Sequence, residues 1–235
     1  HIVWAFLINL WSKPNPMKRF YLLLVPCFLL FYNCNNPSEK ASMSKVAVSF
    51  SEGLADQGID GRLLLMFSNN NEKEPRFQIN DGLNSQLIFG INVDGMAAGQ
   101  KVVFDDRVFG HPLNSISEIK QGEYYVQALL HVYETFDLAT GHTVKLPMDN
   151  GEGQKWNQSP GNIYSKPVKI SIGKNGIQDI DLVLDQVIPE IKTPEDTEWI
   201  KHIRFKSEKL SAFWGRDMYL GAHVLLPKGF EEHPE

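Results

Sequence analysis

Two serines stand close in sequence to two histidines: Ser207 and Ser211 lie between His202 and His223. Serine, histidine and a carboxylate make an acyl-transfer site when backbone N–H groups also hold the oxyanion. The serine is then presented on a strained strand-to-helix turn, with glycine two residues before it and two after. Ser207 reads as lying in or beside a strand and Ser211 in the turn after it, and neither has those glycines. Ser51, Ser159 and Ser171 lie nearer to glycine but also lack it at one of the two positions. No catalytic residue is assigned. His131, Glu134, Asp137 and His142 are the types that ligate metals. Three-residue spacing puts His131 and Glu134 on opposite faces of a strand, so they converge only if a bulge or turn intervenes. The reading is an exposed strand and loop, with no metal site. Gly90, Gly95 and Gly99 lack the Lys-Ser/Thr that completes a phosphate loop and read as turn glycines. No cofactor motif is present. Asp149, Glu152, Lys155 and Trp156 sit in a glycine-rich stretch. There an exposed Trp156 could contact a ligand by stacking on a sugar ring, or it could fold back over the edge of the protein.

These groups belong to a chain of 235 residues, 43% hydrophobic and 22% charged, which implies a globular protein. Net charge is −5, so no basic face is expected and nucleic acid is not a partner. Both cysteines, Cys27 and Cys34, precede the body of the protein. A disulfide framework or a cysteine-ligated zinc is thereby excluded there.

The N-terminal segment reads as a targeting signal. Residues 1–16 read as upstream sequence, and Met17 is a better start. Lys18 and Arg19 form a positive region, and Phe20 to Tyr32 is an apolar run broken by Pro26. The run is short for a membrane span, which needs about 20 residues, but suits a signal-peptide core over residues 17–34. The segment resembles a bacterial lipoprotein signal, in which a cysteine after the apolar core is acylated. That resemblance implies lipidation at Cys34, export, and a membrane partner reached through the lipid.

A polar linker over 35–44 precedes a body with period-two patterning. Val46, Val48 and Phe50 alternate with small or polar residues. Leu63 to Phe67 suits a strand buried on both faces. Leu87–Val93, Lys101–Phe104, Glu123–Phe136 and Val168–Ile172 follow as strands, and Asn175-Gly176 is a hairpin signal before 177–188 returns. Short helices are expected at 115–120 and 193–200. The fold class is all-β. Residues 45–188 are expected to form an antiparallel sandwich of immunoglobulin-like size. Residues 189–199, with Pro189 and Pro194, read as a linker. The segment 200–235 offers two strands separated by a turn at 211–216, too few to bury a core. It reads as the opening of a further domain. Trp199, Phe213 and Trp214 would either anchor the two parts to one another or pack inside that domain.

The stretch from Lys206 to Phe230, with its ending Val224-Leu225-Leu226-Pro227-Lys228-Gly229-Phe230, resembles the entry into secreted bacterial esterases of the α/β-hydrolase superfamily, the group similar to enterochelin and feruloyl esterases. Gly61-Arg62-Leu63-Leu64, Gly122 to Ala128 and Gly151 to Asn157 resemble the module that precedes that domain. The resemblance implies that 200–235 is the first hairpin of a truncated hydrolase domain. It also implies that serine, acid and histidine would all follow Glu235, and that an ester is the substrate class. The chain itself is then non-catalytic. A different class of function, a cell-surface binding module for carbohydrate or another envelope ligand, is motivated by Trp156.

Overall fold

Alternation of apolar and polar side chains places a strand at each segment that can turn one face inward. In the computed structural model, which describes residues 45–149 and 151–230, the strands are β1 (Val46–Phe50), β2 (Ile59–Ser68), β3 (Leu87–Met96), β4 (Val102–Phe104), β5 (Gly110–His111), β6 (Gly122–Val132) and β7 (Glu134–Asp137). They continue with β8 (Thr143–Leu146), β9 (Ile163–Tyr164), β10 (Val168–Ile172), β11 (Ile180–Leu184), β12 (Gln186–Val187), β13 (Ile200–Lys206) and β14 (Tyr219–Leu225), and α1 spans Glu208–Trp214. The described residues are all-β apart from this short helix and two 3₁₀ turns. No described helix is long and apolar enough to cross a membrane.

A seven-stranded sheet runs in the order β12-β9-β6-β2-β3-β5, with β10 also paired to β6, and a three-stranded sheet runs β11-β1-β4. Their inner faces share one core. Val46, Val48, Phe50, Phe104, Leu182 and Leu184 come from the small sheet, and Leu63, Leu65, Phe67, Phe89, Ala128 and Leu130 from the large one. Strand β2 is central and buried on both faces, as its unbroken apolar run requires. Leu63, Leu65 and Phe67 enter the main core, while Leu64 and Met66 pack on the opposite side with Leu129 and Ile188. Gly61 occupies a place no other residue could fill without movement. A Cβ there would lie 2.2 Å from the carbonyl oxygen of His131, beside the register shift between Ile59 and Gly61.

Four local expectations are corrected. Strand β1 pairs with β11 in parallel, Val46 opposite Ile180, whereas the other ladders among the described residues are antiparallel. The Asn175-Gly176 turn does not close a hairpin between its flanking strands. Only Gly173 and Gly176 bridge, and the chain then passes from β10 in the large sheet to β11 in the small one. The strong local turn is kept, but burial of Leu182 and Leu184 against β1 decides the partner. Residues 193–200 are not helical. The Thr197 N–H donates to the Ile200 carbonyl at 2.9 Å, and the Thr197 hydroxyl accepts the Ile200 N–H at 2.9 Å, a local closure that competes with a helix. Conversely the expected turn at 211–216 is mostly α1. Its signals are Ser207, whose side chain accepts the Leu210 N–H, Glu208 in the first turn, and left-handed Gly215 (φ 67°) at the end.

Candidate functional site

The serines and histidines of the last hairpin come first. Ser207 lies beside a strand, directly after β13, but it also caps α1, so it stands at a strand-to-helix junction that the sequence reading did not expect. Its backbone is relaxed (φ −89°, ψ 108°), and its hydroxyl is engaged with the Leu210 N–H. A nucleophile elbow needs a strained turn and a free hydroxyl. Ser211 lies within α1, and its Oγ accepts the Met218 N–H at 2.9 Å. His202 and His223 are directly opposite across the ladder, with rings edge to face at 4.7 Å. Asp196 Oδ1 accepts the His202 backbone N–H at 2.8 Å and lies 3.1 Å from His202 Nδ1. Those bonds, the backbone one foremost, hold the Asp196 carboxyl below its usual value. The result is a histidine oriented by a carboxylate, but neither serine hydroxyl is hydrogen-bonded to it among the described residues. This is two parts of a triad without the third.

The metal-type residues are drawn to different partners. Strand β6 gives way to β7 at Tyr133, whose N–H still donates to the Asp60 carbonyl at 2.9 Å, and the His131 ring stands edge-on to Tyr133 at 5.2 Å. Glu134 pairs with Arg216, and Asp137 accepts the Thr143 hydroxyl at 2.6 Å. No group of three His, Cys, Asp or Glu among the described residues is placed to hold a metal. Contrary to their reading as turn glycines, Gly90 and Gly95 both lie within β3, Gly90 against the Arg62 guanidinium and Gly95 with positive φ opposite the register shift between Ile59 and Gly61, while Gly99 takes positive φ at a turn.

Burial pushes the His131 imidazole below its ordinary value of 6.5, with Glu152 pulling weakly the other way. The unfolded chain therefore binds a proton more readily than the folded one as pH falls through 6.5. Stability drops in that window and goes on dropping until the lowered folded value is passed. The urea midpoint should be lower at pH 5.5 than at pH 7.5, and His131→Gln should shrink that difference. An unchanged difference in the variant would show that other groups cause it. Asp60 acts in another window. The Lys145 ammonium, the Gly95 N–H and the Thr135 hydroxyl keep its carboxyl depressed, so its contribution is lost only as pH falls below about 3.8.

Trp156 is half-buried. It packs on the outer face of the large sheet against the Leu64, Met66, Leu129 and Ile188 cluster. Its carbonyl accepts from Asn162 Nδ2 at 2.8 Å, while Asn162 Oδ1 accepts the Val132 N–H at 2.9 Å, tying the loop to β6. Beside it, Asp149 Oδ1 accepts the Gly151 N–H at 2.8 Å, and Lys155 is exposed. Comparison with family models, curated proteins and solved structures finds no match. The site stands on its own geometry.

What sequence reasoning missed lies under that loop. Arg76, in a 3₁₀ turn at Pro75–Phe77, is buried and stacks its guanidinium on Phe77 at 4.4 Å and on Tyr164 at 4.1 Å. It pairs with Glu74 at 2.8 Å and donates to the Asn157 carbonyl at 3.0 Å, while Asn157 Nδ2 returns a bond to the Arg76 carbonyl. Gln127, fully buried on β6, accepts the Arg76 N–H and donates to Glu74 and to the Ser165 carbonyl. The signal was present: an amide in the middle of an apolar strand needs partners on all its atoms. Cys34 lies outside the described residues. Phe213 is exposed, Trp199 is largely exposed, and Trp214 packs edge-on to Phe136 at 5.4 Å beside the Arg216–Glu134 pair.

Proposed function

We propose that residues 45–188 form a non-catalytic, immunoglobulin-like sandwich module and that residues 200–230 are the opening hairpin of an esterase-like serine hydrolase domain, carried on an exported protein anchored through lipid on Cys34. The observation that supports this reading is the two-sidedness of the β13–β14 hairpin. The register puts Ile203, Phe205, Leu220, Ala222 and Val224 on one face together with Lys201, and His202, Arg204, Lys206, Tyr219 and His223 on the other together with the end pair Ile200 and Leu225. The apolar face is uncovered, with Ile203 46%, Phe205 53% and Leu220 42% exposed. A two-stranded ribbon is marginal in water, and an apolar face of this kind belongs against further strands and helices. A hydrolase sheet that continues from this hairpin would supply them, together with the nucleophile that neither Ser207 nor Ser211 provides.

The test compares this chain with a longer product of the same reading frame. The 235-residue chain should hydrolyse short-chain aryl esters no faster than buffer and should take up no fluorophosphonate. The longer product should do both and should protect β13 and β14 from hydrogen exchange. Turnover by the shorter chain that vanishes in Ser207→Ala or Ser211→Ala would overturn the reading. So would a downstream frame with no activated nucleophile. Cys34→Ser should leave an unprocessed precursor, and normal maturation of that variant would remove the lipid anchor from the proposal.

A further inference from the structure

A cleft of about 410 Å³, which Trp156 does not line, opens at one end of the large sheet between the end of β2, the segment leading into β3, the 3₁₀ turn at Ile116–Glu118 and the start of β6. That volume is in the range of small-molecule sites, roughly 300–1,000 Å³. Its wall carries side-chain amides held in place by one another. Gln86 Oε1 accepts the Asn69 backbone N–H at 3.1 Å, and Gln86 Nε2 donates to Asn69 Oδ1 at 3.2 Å. This pairing orients both side chains and leaves the Asn69 amide nitrogen as a donor. The Asn84 amide on the same rim has no partner among the described residues, and neither do the Glu118 carboxylate and the Lys120 ammonium across the opening. The floor is apolar. Leu87 and Leu113 line it beside Tyr124, whose ring is set edge-on to the buried Phe67 at 6.4 Å.

We propose that this cleft binds a short neutral oligosaccharide. Sugar hydroxyls both donate and accept, and amides are the side chains that answer both roles at once. The C–H face of a pyranose is apolar and lies well on a leucine and tyrosine floor. Glu118 and Lys120 cancel in charge, so the cleft attracts neither an anion nor a cation as such, yet each can bond a hydroxyl. The cleft is open rather than enclosed, which fits a chain of sugars lying across it or entering by one end. Binding here is independent of the hydrolase reading. It would place the module on a polysaccharide whether or not ester chemistry follows.

The experiment is titration calorimetry of the full chain with a panel of neutral hexasaccharides: cellohexaose, xylohexaose, mannohexaose, laminarihexaose and chitohexaose. At least one should bind, and Asn84→Ala and Glu118→Ala should each weaken it by roughly tenfold, the scale of one lost hydrogen bond to a ligand. Both residues are exposed, so neither variant should disturb folding, which circular dichroism checks. Trp156→Ala should leave the affinity unchanged. The proposal is overturned if no hexasaccharide binds at millimolar concentration. It is also overturned if binding survives both cleft variants, or is lost only with Trp156. Because ester turnover is not measured, failure of the hydrolase reading would leave this result as it stands.

Discussion

Replacing Phe67 with alanine will remove about 3–5 kcal/mol of stability, the cost of deleting a fully buried aromatic ring from a core that cannot close over the space. The ring is completely inaccessible and sits between Phe89, at 6.0 Å and edge-on, and Tyr124, at 6.4 Å. Leu65 precedes it by two residues on the same face, and Val126 of β6 is its direct cross-strand neighbour. Collapse is blocked because β2 is hydrogen-bonded on both edges, to β3 and to β6, and carries a second apolar cluster on its far face. Domains of this size have total stabilities of about 5–15 kcal/mol, so the variant should be near the limit of folding. Urea denaturation of wild type and variant is the measurement. A loss below about 1 kcal/mol would mean that the two sheets relax around the gap and that the core is less tightly determined than its burial implies. Phe67→Leu keeps most of the volume and should cost distinctly less.

The second large effect is expected at Gln127. Leucine there preserves the approximate volume but cannot hydrogen-bond, so the Arg76 N–H and the Ser165 carbonyl lose their partners inside the protein. Each orphaned buried group costs about 1–3 kcal/mol, so a total of about 2–6 kcal/mol is expected. Glu74 also loses one of the donors that hold it toward Arg76. The effect should differ in kind from that of Phe67→Ala. Hydrogen exchange should rise first in residues 69–86 and in 151–162, which meet across Arg76 and Asn157, before the strands themselves open. A rise spread evenly over the sheets would show that the polar group under the loop is not what ties those segments down.

The all-β class was legible because period-two alternation is a local signal, and β1 shows it in every residue: Val46, Val48 and Phe50 are buried while Ala47 and Ser49 are not. The doubly buried Leu63 to Phe67 run was equally plain. What the pattern lacks is any mark of pairing partner. Asn175-Gly176 specifies a tight turn whether the strand after it returns to its neighbour or crosses to another sheet. Capping signals at Ser207, Glu208 and Gly215 were readable but lay in a segment judged by its strands, so α1 was missed. The candidate sites show the same division. The absence of glycines around Ser207 and Ser211 was visible, whereas the bonds their hydroxyls accept from Leu210 and Met218 were not. The amide pairing of Asn69 with Gln86 was not visible, because it joins residues whose meeting depends on where β2 ends and β3 begins.

The parallel pairing of β1 with β11 has a consequence for the order in which the protein can be made. Strand β1 is the middle strand of its sheet, yet one of its two neighbours is the segment Ile180–Leu184. At synthesis rates of about 5–20 residues per second, β1 waits roughly 7–27 s after emerging before that neighbour exists. Strand β4 can cover one edge earlier, through three paired positions. Until Leu182 and Leu184 arrive, the other edge and the side chains of Val46, Val48 and Phe50 have only part of their final surroundings. A nascent chain in this state is open to a passing strand or a holding chaperone. Strand β11 emerges after β1 to β10, so the step that closes the core between the two sheets waits until most of the body has been made.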